Sequence, residues 1–339
     1  MLLLSLACRP APQLDTAPPA SAPSILQAAP VLDGDLHPLL IDAISGATQR
    51  IDVAQYTLYD SGAVSQLIDA LISAAGRGIP VRVLADEAAS GTESALARLS
   101  AGGVDTRLDD AAVTTHTKLL IADEHTIVGS HNWSSAAMTS NHEGSVMVWS
   151  PAVTLHYAEF FESLWSRPAV DPALHWSGDG PLTPLTNRAV YPALFDCLSA
   201  ASTRVRVVMY AIADSMTYPD SEVARLVDGL IAAQGRGVDV GVILDASTWI
   251  VDNAINDHAI SRLRDGGVPV WRTPEGVTTH AKVLVCDDTT IISDANWSYS
   301  ALTAYHGASL QLDDAAVAEP VVAWWSLLKA DSTAITSGQ

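Results

Sequence analysis

Two short segments of the chain carry the same four chemically capable residue types at the same spacing. In each segment a lysine follows a histidine by two residues, an aspartate follows five residues later, and an asparagine comes nine residues after that. These residues are His116, Lys118, Asp123 and Asn132 in the first segment, and His280, Lys282, Asp287 and Asn296 in the second. One such pattern alone means little, but its recurrence predicts a shared function. The chain has only three lysines, and two of them belong to these segments.

Strand geometry predicts which of these side chains act together. Side chains two residues apart on a strand point to the same face, so each histidine shares a face with its lysine. The two aspartates lie an odd number of residues from their histidines and face the other side. We therefore expect Asp123 and Asp287 to brace the local structure. The asparagines come on the next strand and can return to the histidine face.

Two imidazoles, two ammonium groups and two carboxamides in one pocket suit the cleavage of a phosphodiester. One histidine can attack phosphorus, while the other protonates the leaving alcohol and then activates water or a second alcohol. The lysines and asparagines can stabilise the charged non-bridging oxygens, most strongly in the transition state. Because the lysines supply the positive charge, we expect neither a metal ion nor another cofactor.

The two segments belong to a unit that occurs twice in the chain. AAGRGIPVRVLAD (74–86) matches AAQGRGVDVGVILD (232–245), and TTHTKLLIAD (114–123) matches TTHAKVLVCD (278–287). The offset between the copies settles at 164 residues, a period that indicates domain duplication.

The periodicity within each copy predicts alternating strands and helices. Apolar residues at helical spacing over 64–72 and 223–231 predict one helix in each unit, and a β-branched run follows each of them. A further helix is expected near 152–166 and near 315–329. The predicted fold class is α/β, with two tandem α/β/α sandwich units related by a pseudo-twofold axis.

The repeated His-x-Lys-x4-Asp pattern resembles the signature of the phospholipase D superfamily, in its form with two motifs in one chain. The likeness covers most of residues 37–315 and includes Ser130 in the Gly-Ser-His-Asn run at 129–132. It implies phospholipase D-like units at 31–170 and 171–339, a covalent phosphohistidine intermediate and metal independence. It also implies that a downstream acid such as Glu143 binds the nucleophilic histidine and fixes its tautomer.

The second unit departs from the family pattern at two positions. Asp294 replaces the serine of the Gly-Ser pair, and Gly307 stands where the first unit has Glu143. His280 is therefore expected to lack an orienting acid, so we infer that His116 is the nucleophile and His280 the general acid and base. The sequence leaves open whether Asp294 compensates in part or weakens phosphate binding.

Composition narrows the choice of substrate. The 339 residues include 38 acidic and 18 basic ones, and the net charge of -20 excludes a generally basic surface that follows a nucleic-acid backbone. We expect hydrolysis of a phospholipid head-group phosphodiester, with transfer to another alcohol as a second outcome. Two alternatives stay open: an endonuclease of the same superfamily, which the NWSSAAMTSNHE segment also resembles, and a catalytically weak phosphate-binding module. One chain holds both half-sites, so a monomer suffices.

The first 30 residues predict a location. The run MLLLSLAC and the Pro/Ala-rich linker after it resemble the end of a bacterial lipoprotein signal, which implies lipidation of Cys8 and membrane attachment. The expected location is the bacterial cell envelope or the exterior, and the alternative is the cytoplasm. Three cysteines do not make a disulfide framework, so Cys197 and Cys286 are expected to be small buried residues.

Overall fold

A computed structural model describes residues 27–109, 112–166, 174–247 and 253–336. The lipoprotein-like segment with Cys8 and the expected boundary at 170/171 lie outside these residues, and both stay predictions. None of the described helices is long and apolar enough to cross a bilayer.

The first unit alternates strands with helices, as its sequence predicts. Its strands are β1 (Ala28–Leu32), β2 (Ile51–Gln55), β3 (Val81–Ala85), β4 (Asp105–Leu108), β5 (Lys118–Ala122), β6 (His125–Gly129) and β7 (Gly144–Val148). Its helices are α1 (Leu36–Gly46), α2 (Ala63–Gly76), α3 (Glu93–Ala101), α4 (Ser135–Thr139) and α5 (Pro151–Trp165).

The second unit repeats this order. Its strands are β8 (Leu182–Thr186), β9 (Arg204–Met209), β10 (Asp239–Leu244), β11 (Val270–Arg272), β12 (Lys282–Cys286), β13 (Thr289–Ile292), β14 (Ala308–Asp313) and β15 (Thr333–Ala334). Its helices are α6 (Val190–Ala200), α7 (Glu222–Gly235), α8 (Asp257–Asp265), α9 (Tyr299–Thr303) and α10 (Ala315–Asp331).

Each unit contains one mixed sheet. The strand order is β1-β7-β6-β5-β2-β3-β4 in the first and β15-β11-β10-β9-β12-β13-β14-β8 in the second. Strand β2 pairs parallel to β3 and antiparallel to β5, and β9 pairs in the same way with β10 and β12. The strands that carry the two lysines, β5 and β12, are therefore central and fully buried.

Apolar periodicity explains why the helices pack on these sheets. Helix α2 buries Val64, Leu67, Ile68 and Leu71 completely, and α7 buries the matching residues of the second unit. Helices α5 and α10 instead lie in one large core with residues from both sheets. Since this core is continuous across the two units, it fixes their relative position.

The described residues contain a disulfide that the sequence analysis did not predict. Cys197 on α6 and Cys286 at the end of β12 are bonded, with their Cα atoms 5.8 Å apart. Both are buried as expected, but treating them as unpaired small residues was wrong. The first unit has Ala43 and Ala122 at the matching positions, so the crosslink belongs to the second unit alone.

Candidate active site

The two histidine–lysine pairs occupy equivalent places in the two sheets. Lys118 begins β5 and Lys282 begins β12, each two residues after its histidine. All four side chains are buried, and each lysine Nζ donates a hydrogen bond to the carbonyl oxygen of its own histidine. Lys118 Nζ also lies 3.2 Å from His116 Nδ1. The predicted sharing of a face is confirmed.

Reciprocal backbone contacts bring the two pairs to one site. The amide of His116 donates to the carbonyl of His306 at 2.9 Å, and the amide of His280 donates to that of His142 at 2.8 Å. Isolated bridges pair the neighbouring residues, Thr115 with His306 and Thr279 with His142. Each motif is thus anchored to the opposite unit, and these contacts follow the predicted pseudo-twofold relationship.

Glu143 contacts the histidine of the other unit. His280 Nδ1 lies 3.1 and 3.0 Å from the two carboxylate oxygens of Glu143. The prediction that Glu143 orients His116, and that His280 lacks an acid, is therefore wrong. The reason is the crossed bridging, which places the segment 142–143 beside 279–280.

The environment of Glu143 keeps it ionised. It is fully buried, Ser130 Oγ donates to its Oε2, and Asn141 Nδ2 donates to its Oε1 at 3.2 Å. Burial alone would raise the pKa of this carboxyl, but the charge and hydrogen bond of His280 lower it to about 2. Ser130, predicted as a supporting residue, acts on the acid rather than on a histidine.

Burial favours the neutral form of both imidazoles. Burial lowers the pKa of His116 well below its ordinary value, and the charges of Lys118 and Lys282 lower it further. Burial lowers the pKa of His280 to about 4, although Glu143 acts in the opposite direction. A neutral imidazole that donates from Nδ1 has a free lone pair at Nε2, which is the form a nucleophile needs.

Burial also lowers the pKa of the two lysines. It lowers the pKa of Lys118 to about 8, while the charges of Asp294 and Glu143 oppose the shift. The pKa of Lys282 is also lowered, again chiefly by burial. An anionic phosphate that enters the pocket favours the charged ammonium form of both.

The aspartates of the two motifs serve the fold, as predicted. Asp123 accepts hydrogen bonds from the amides of Thr48, Gln49 and Arg50 at 2.8–3.0 Å. Asp287 accepts the corresponding bonds from the amides of residues 202–204. Both aspartates have φ near +53°, so each fixes a turn that L residues rarely adopt.

Asn132 and Asn296 lie on the loops after β6 and β13, partly buried. In the part of the chain that the structure describes, the Oδ1 atom of each is buried and has no hydrogen-bond partner. Buried polar atoms of this kind are costly unless a ligand or water satisfies them. The predicted role in holding a phosphate oxygen through the amide group stays a prediction.

Two tyrosines in the site were missed by the sequence analysis. The Tyr56 ring centroid lies 4.7 Å from that of His116 and 5.1 Å from Lys118 Nζ. Tyr210 lies 4.8 Å from His280 and 5.0 Å from Lys282 Nζ in the same way. Each tyrosine ring packs beside one histidine–lysine pair, with the lysine ammonium group over its π face. The repeat could have identified them, because Tyr56 and Tyr210 occupy the same position in the matched segments 50–58 and 203–212.

Two further carboxylates brace the approach to the motifs. Asp86, after β3, accepts the amide of Thr115 at 2.7 Å, and Asp245, after β10, accepts that of Thr279 at 2.6 Å. Burial, together with the charge of Asp109, raises the pKa of Asp86 to about 6. Across the described ranges, no group of three or more His, Cys, Asp or Glu side chains is arranged to hold a metal ion.

Comparison with known families agrees with this geometry. A family model described as cardiolipin synthase, PLD-like domain, matches residues 40–165 and again 194–326. The chain belongs to the phospholipase D superfamily. The two matches coincide with the two units, so the tandem organisation inferred from the repeats is confirmed.

Two curated relatives resemble only part of the chain. The chain is 25% identical over 127 residues to a mitochondrial cardiolipin hydrolase of Chlamydomonas reinhardtii, covering 37% of this chain and 55% of that protein. It is 33% identical over 101 residues to the protein of the same name from Xenopus tropicalis, covering 29% and 46%. The chain thus spans about half the length of these curated relatives.

One solved structure shows how far the fold extends. Phosphatidylserine synthase of Haemophilus influenzae Rd KW20 superimposes with a TM-score of 0.70 at 12% identity, over 91% of this chain and 87% of that one. At this identity the likeness concerns the fold, and it includes both units.

Proposed function

We propose that this protein is a metal-independent phosphodiesterase of the phospholipase D type. Its reaction is hydrolysis of a phospholipid head-group phosphodiester to phosphatidate and an alcohol, with transfer to a second alcohol as a side reaction. The observation that carries the proposal is a buried site in which the two histidine–lysine pairs lie close enough to influence each other's charge and Glu143 contacts one imidazole. That arrangement supplies a nucleophile, a proton carrier and two cations for the phosphate.

The acid contact supports a proposed assignment of roles to the two histidines. Glu143 accepts the Nδ1 proton of His280, so the lone pair on Nε2 attacks phosphorus. The N–P bond forms and the P–O bond to the head group breaks. His116, which takes up a proton from solvent when the anionic substrate binds, gives that proton to the leaving alcohol. We therefore propose His280 as the nucleophile. The sequence analysis assigned this role to His116, because it assumed that Glu143 orients His116, and that assumption was wrong.

The second step restores the enzyme. His116 takes a proton from water, the water oxygen attacks phosphorus, and the N–P bond to His280 breaks to release phosphatidate. The bound phosphodiester is an anion, which raises the pKa of His116 in the complex and lets it carry the proton. Lys118, Lys282 and the two motif asparagines stabilise the non-bridging oxygens in both steps.

The distribution of arginine supports a lipid over a nucleic acid. A groove that follows a polynucleotide needs basic side chains directed at its phosphates. In this chain many arginines are instead engaged by carboxylates or backbone carbonyls: Arg77, Arg82, Arg98, Arg107, Arg204, Arg206, Arg236, Arg262 and Arg272. The name that the curated relatives carry also refers to a phospholipid.

Exposed apolar side chains near the site support the same substrate. The segment between β9 and α7 spans 210–221, whereas its counterpart between β2 and α2 spans 56–62. This longer segment exposes Met216 (82%) and Tyr218 (68%), and Tyr299 of α9 is 63% exposed beside it. The amide of Ala213 donates to the carbonyl of Trp297 at 2.8 Å, which places the segment next to the loop of Asn296. Such side chains suit contact with lipid.

We also propose that the protein acts in the bacterial envelope. A buried Cys197–Cys286 disulfide is typical of oxidising compartments and supports this location. Lipidation of Cys8 remains the expected means of attachment. Metabolic labelling with a fatty acid, compared with a Cys8→Ser variant, tests it, and a label that survives the substitution contradicts it.

The substrate is tested with purified protein in EDTA. Mixed phospholipid vesicles, plasmid DNA and single-stranded DNA are supplied separately to the parent, His280→Ala, His116→Ala and the control His175→Ala, whose histidine is exposed. Head-group release that both catalytic variants lose and the control keeps supports the proposal. DNA cleavage without lipid turnover favours the endonuclease, and phosphate binding without any turnover favours the binding module.

A further inference from the structure

Each unit has one buried carboxylate near the site, Glu143 in the first and Asp294 in the second, and the two lie at different strands. In the first unit Ser130 follows β6 and Glu143 precedes the neighbouring strand β7. At the 164-residue offset the second unit has Asp294 after β13 and Gly307 before β14. Ser130 thus corresponds to Asp294, and Glu143 corresponds to Gly307. Each unit therefore has one carboxylate at this pair of positions, but on opposite strands of the pair.

The side chain of Asp294 fills the space that Gly307 leaves. A Cβ atom placed on Gly307 would lie 2.8 Å from Asp294 Oδ1 and 3.2 Å from Oδ2. Asp294 is 1% exposed, and its Oδ2 accepts the amide of Ala308 at 2.7 Å. A glutamate at 307 therefore needs a small residue at 294, which is the arrangement of Ser130 and Glu143.

This carboxylate belongs to the half-site of His116. The amide of His116 bonds to the carbonyl of His306, the residue before Gly307, just as His280 bonds to the residue before Glu143. The charge of Asp294 is the largest influence that opposes the lowered pKa of Lys118, whose Nζ lies 3.2 Å from His116 Nδ1. A hydrogen bond with the backbone of Asp294 also opposes the lowered pKa of His116.

We propose that Asp294 is the positioning residue of the His116–Lys118 pair and supplies to it the buried carboxylate that Glu143 supplies to His280. Burial raises the pKa of Asp294 to about 7, and in its ionised form the carboxylate favours the ammonium form of Lys118 and stabilises His116 while it carries the proton. The sequence left open a second effect, in which the charge of Asp294 weakens phosphate binding, and the variants below distinguish the two. The proposal rests on the proposed function only in that His116 acts as the proton carrier.

Activity is tested with bis(p-nitrophenyl) phosphate, a soluble phosphodiester that requires no lipid recognition. Asp294→Asn keeps the side-chain volume and removes the charge, so kcat is expected to fall by roughly 100-fold with a much smaller change in KM. Asp294→Ser should lose a similar factor. The double variant Asp294→Ser/Gly307→Glu recreates the arrangement of the first unit and is expected to recover kcat to within about tenfold of the parent. Asp331→Asn, an exposed position, is the control.

A second readout needs no turnover. Nitrogen NMR of the His116 ring reports its tautomer and protonation, and both are expected to change in Asp294→Asn and to return in the double variant. Unchanged ring signals with parental kcat in Asp294→Asn overturn the proposal. So does a folded double variant that is as inactive as Asp294→Ser. If the parent cleaves the soluble ester but no phospholipid, the lipid proposal fails while this one stands; if it cleaves neither, the ring signals decide.

Discussion

At the level of single residues, the contact between His280 and Glu143 distinguishes two imidazoles that otherwise have similar surroundings. Both are buried, each stands beside a tyrosine ring and a lysine, and both have lowered pKa values. Only His280 has a carboxylate within 3.1 Å of Nδ1. The proposed nucleophile and the proposed proton carrier therefore differ in their acid partner rather than in exposure.

This contact predicts where the covalent intermediate forms. Alkaline quenching during turnover, followed by mass spectrometry, is expected to find the phosphoryl group on His280. Glu143→Gln should lower kcat by about 100- to 10,000-fold, since the amide no longer fixes the tautomer of His280. Glu159→Gln, on the exposed face of α5, is the control. A label on His116 contradicts the assignment.

The lowered pKa of Lys118 predicts how activity falls at alkaline pH. Burial lowers its pKa from 10.5 to about 8, against the charges of Asp294, Glu143 and Asp86. The ammonium form is present below this pH and is lost above it, so kcat/KM is expected to fall as pH rises through about 8. Lys118→Arg keeps its charge beyond pH 10 and should remove this limb, at the expense of lower activity at neutral pH. A parent profile that is flat from pH 7 to 9 contradicts the prediction.

At the level of elements, turns and strand ends hold the chemistry in place. Asp287 ties the end of β12 to residues 202–204, at the start of β9, through three backbone amides. Asp123 does the same in the first unit. The two motif aspartates therefore affect catalysis only through the position of the strands.

Substitution of Asp287 separates these effects. Asp287→Ala leaves three amides without their acceptor and places alanine at φ +53°, so the free energy of unfolding should fall by about 1–3 kcal/mol. Thermal and urea unfolding measure this loss. The kcat of the remaining folded protein is expected to stay within about threefold of the parent, and a large loss of kcat at full stability would indicate a role in the reaction.

The elements and the motif residues were predictable because their evidence is local. Helical periodicity placed α2 and α7, and odd spacing along a strand assigned Asp123 and Asp287 to the fold. The contact between His280 and Glu143 joins residues 137 positions apart in different units, and the cysteines lie 89 apart. No local pattern encodes such pairings, since they depend on how the units and strands come together.

At the level of the whole molecule, the two units have different covalent support. The Cys197–Cys286 bond ties α6 to β12 in the second unit, and the matching alanines of the first unit carry no crosslink. The second unit is therefore the half whose stability depends on redox conditions.

Removal of this bond is expected to destabilise the second unit. Cys197→Ser/Cys286→Ser, or reduction of the parent, should lower the free energy of unfolding by about 2–4 kcal/mol. Differential scanning calorimetry with and without reductant measures this, and Cys8→Ser is the control. Identical melting of the parent in both conditions shows that the bond does not contribute.

The crossed bridges between Thr115 and His306, and between His142 and Thr279, also bear on how the two halves were able to diverge. In a symmetric pair of identical chains, any substitution appears in both half-sites at once. Two units in one polypeptide are free of that restriction, so the buried carboxylate can lie on different strands in the two halves, as it does at Glu143 and Asp294. A permanent assignment of the two proposed roles to different half-sites is open to one chain that contains both units, whereas a homodimer has the same acid partner in each half-site.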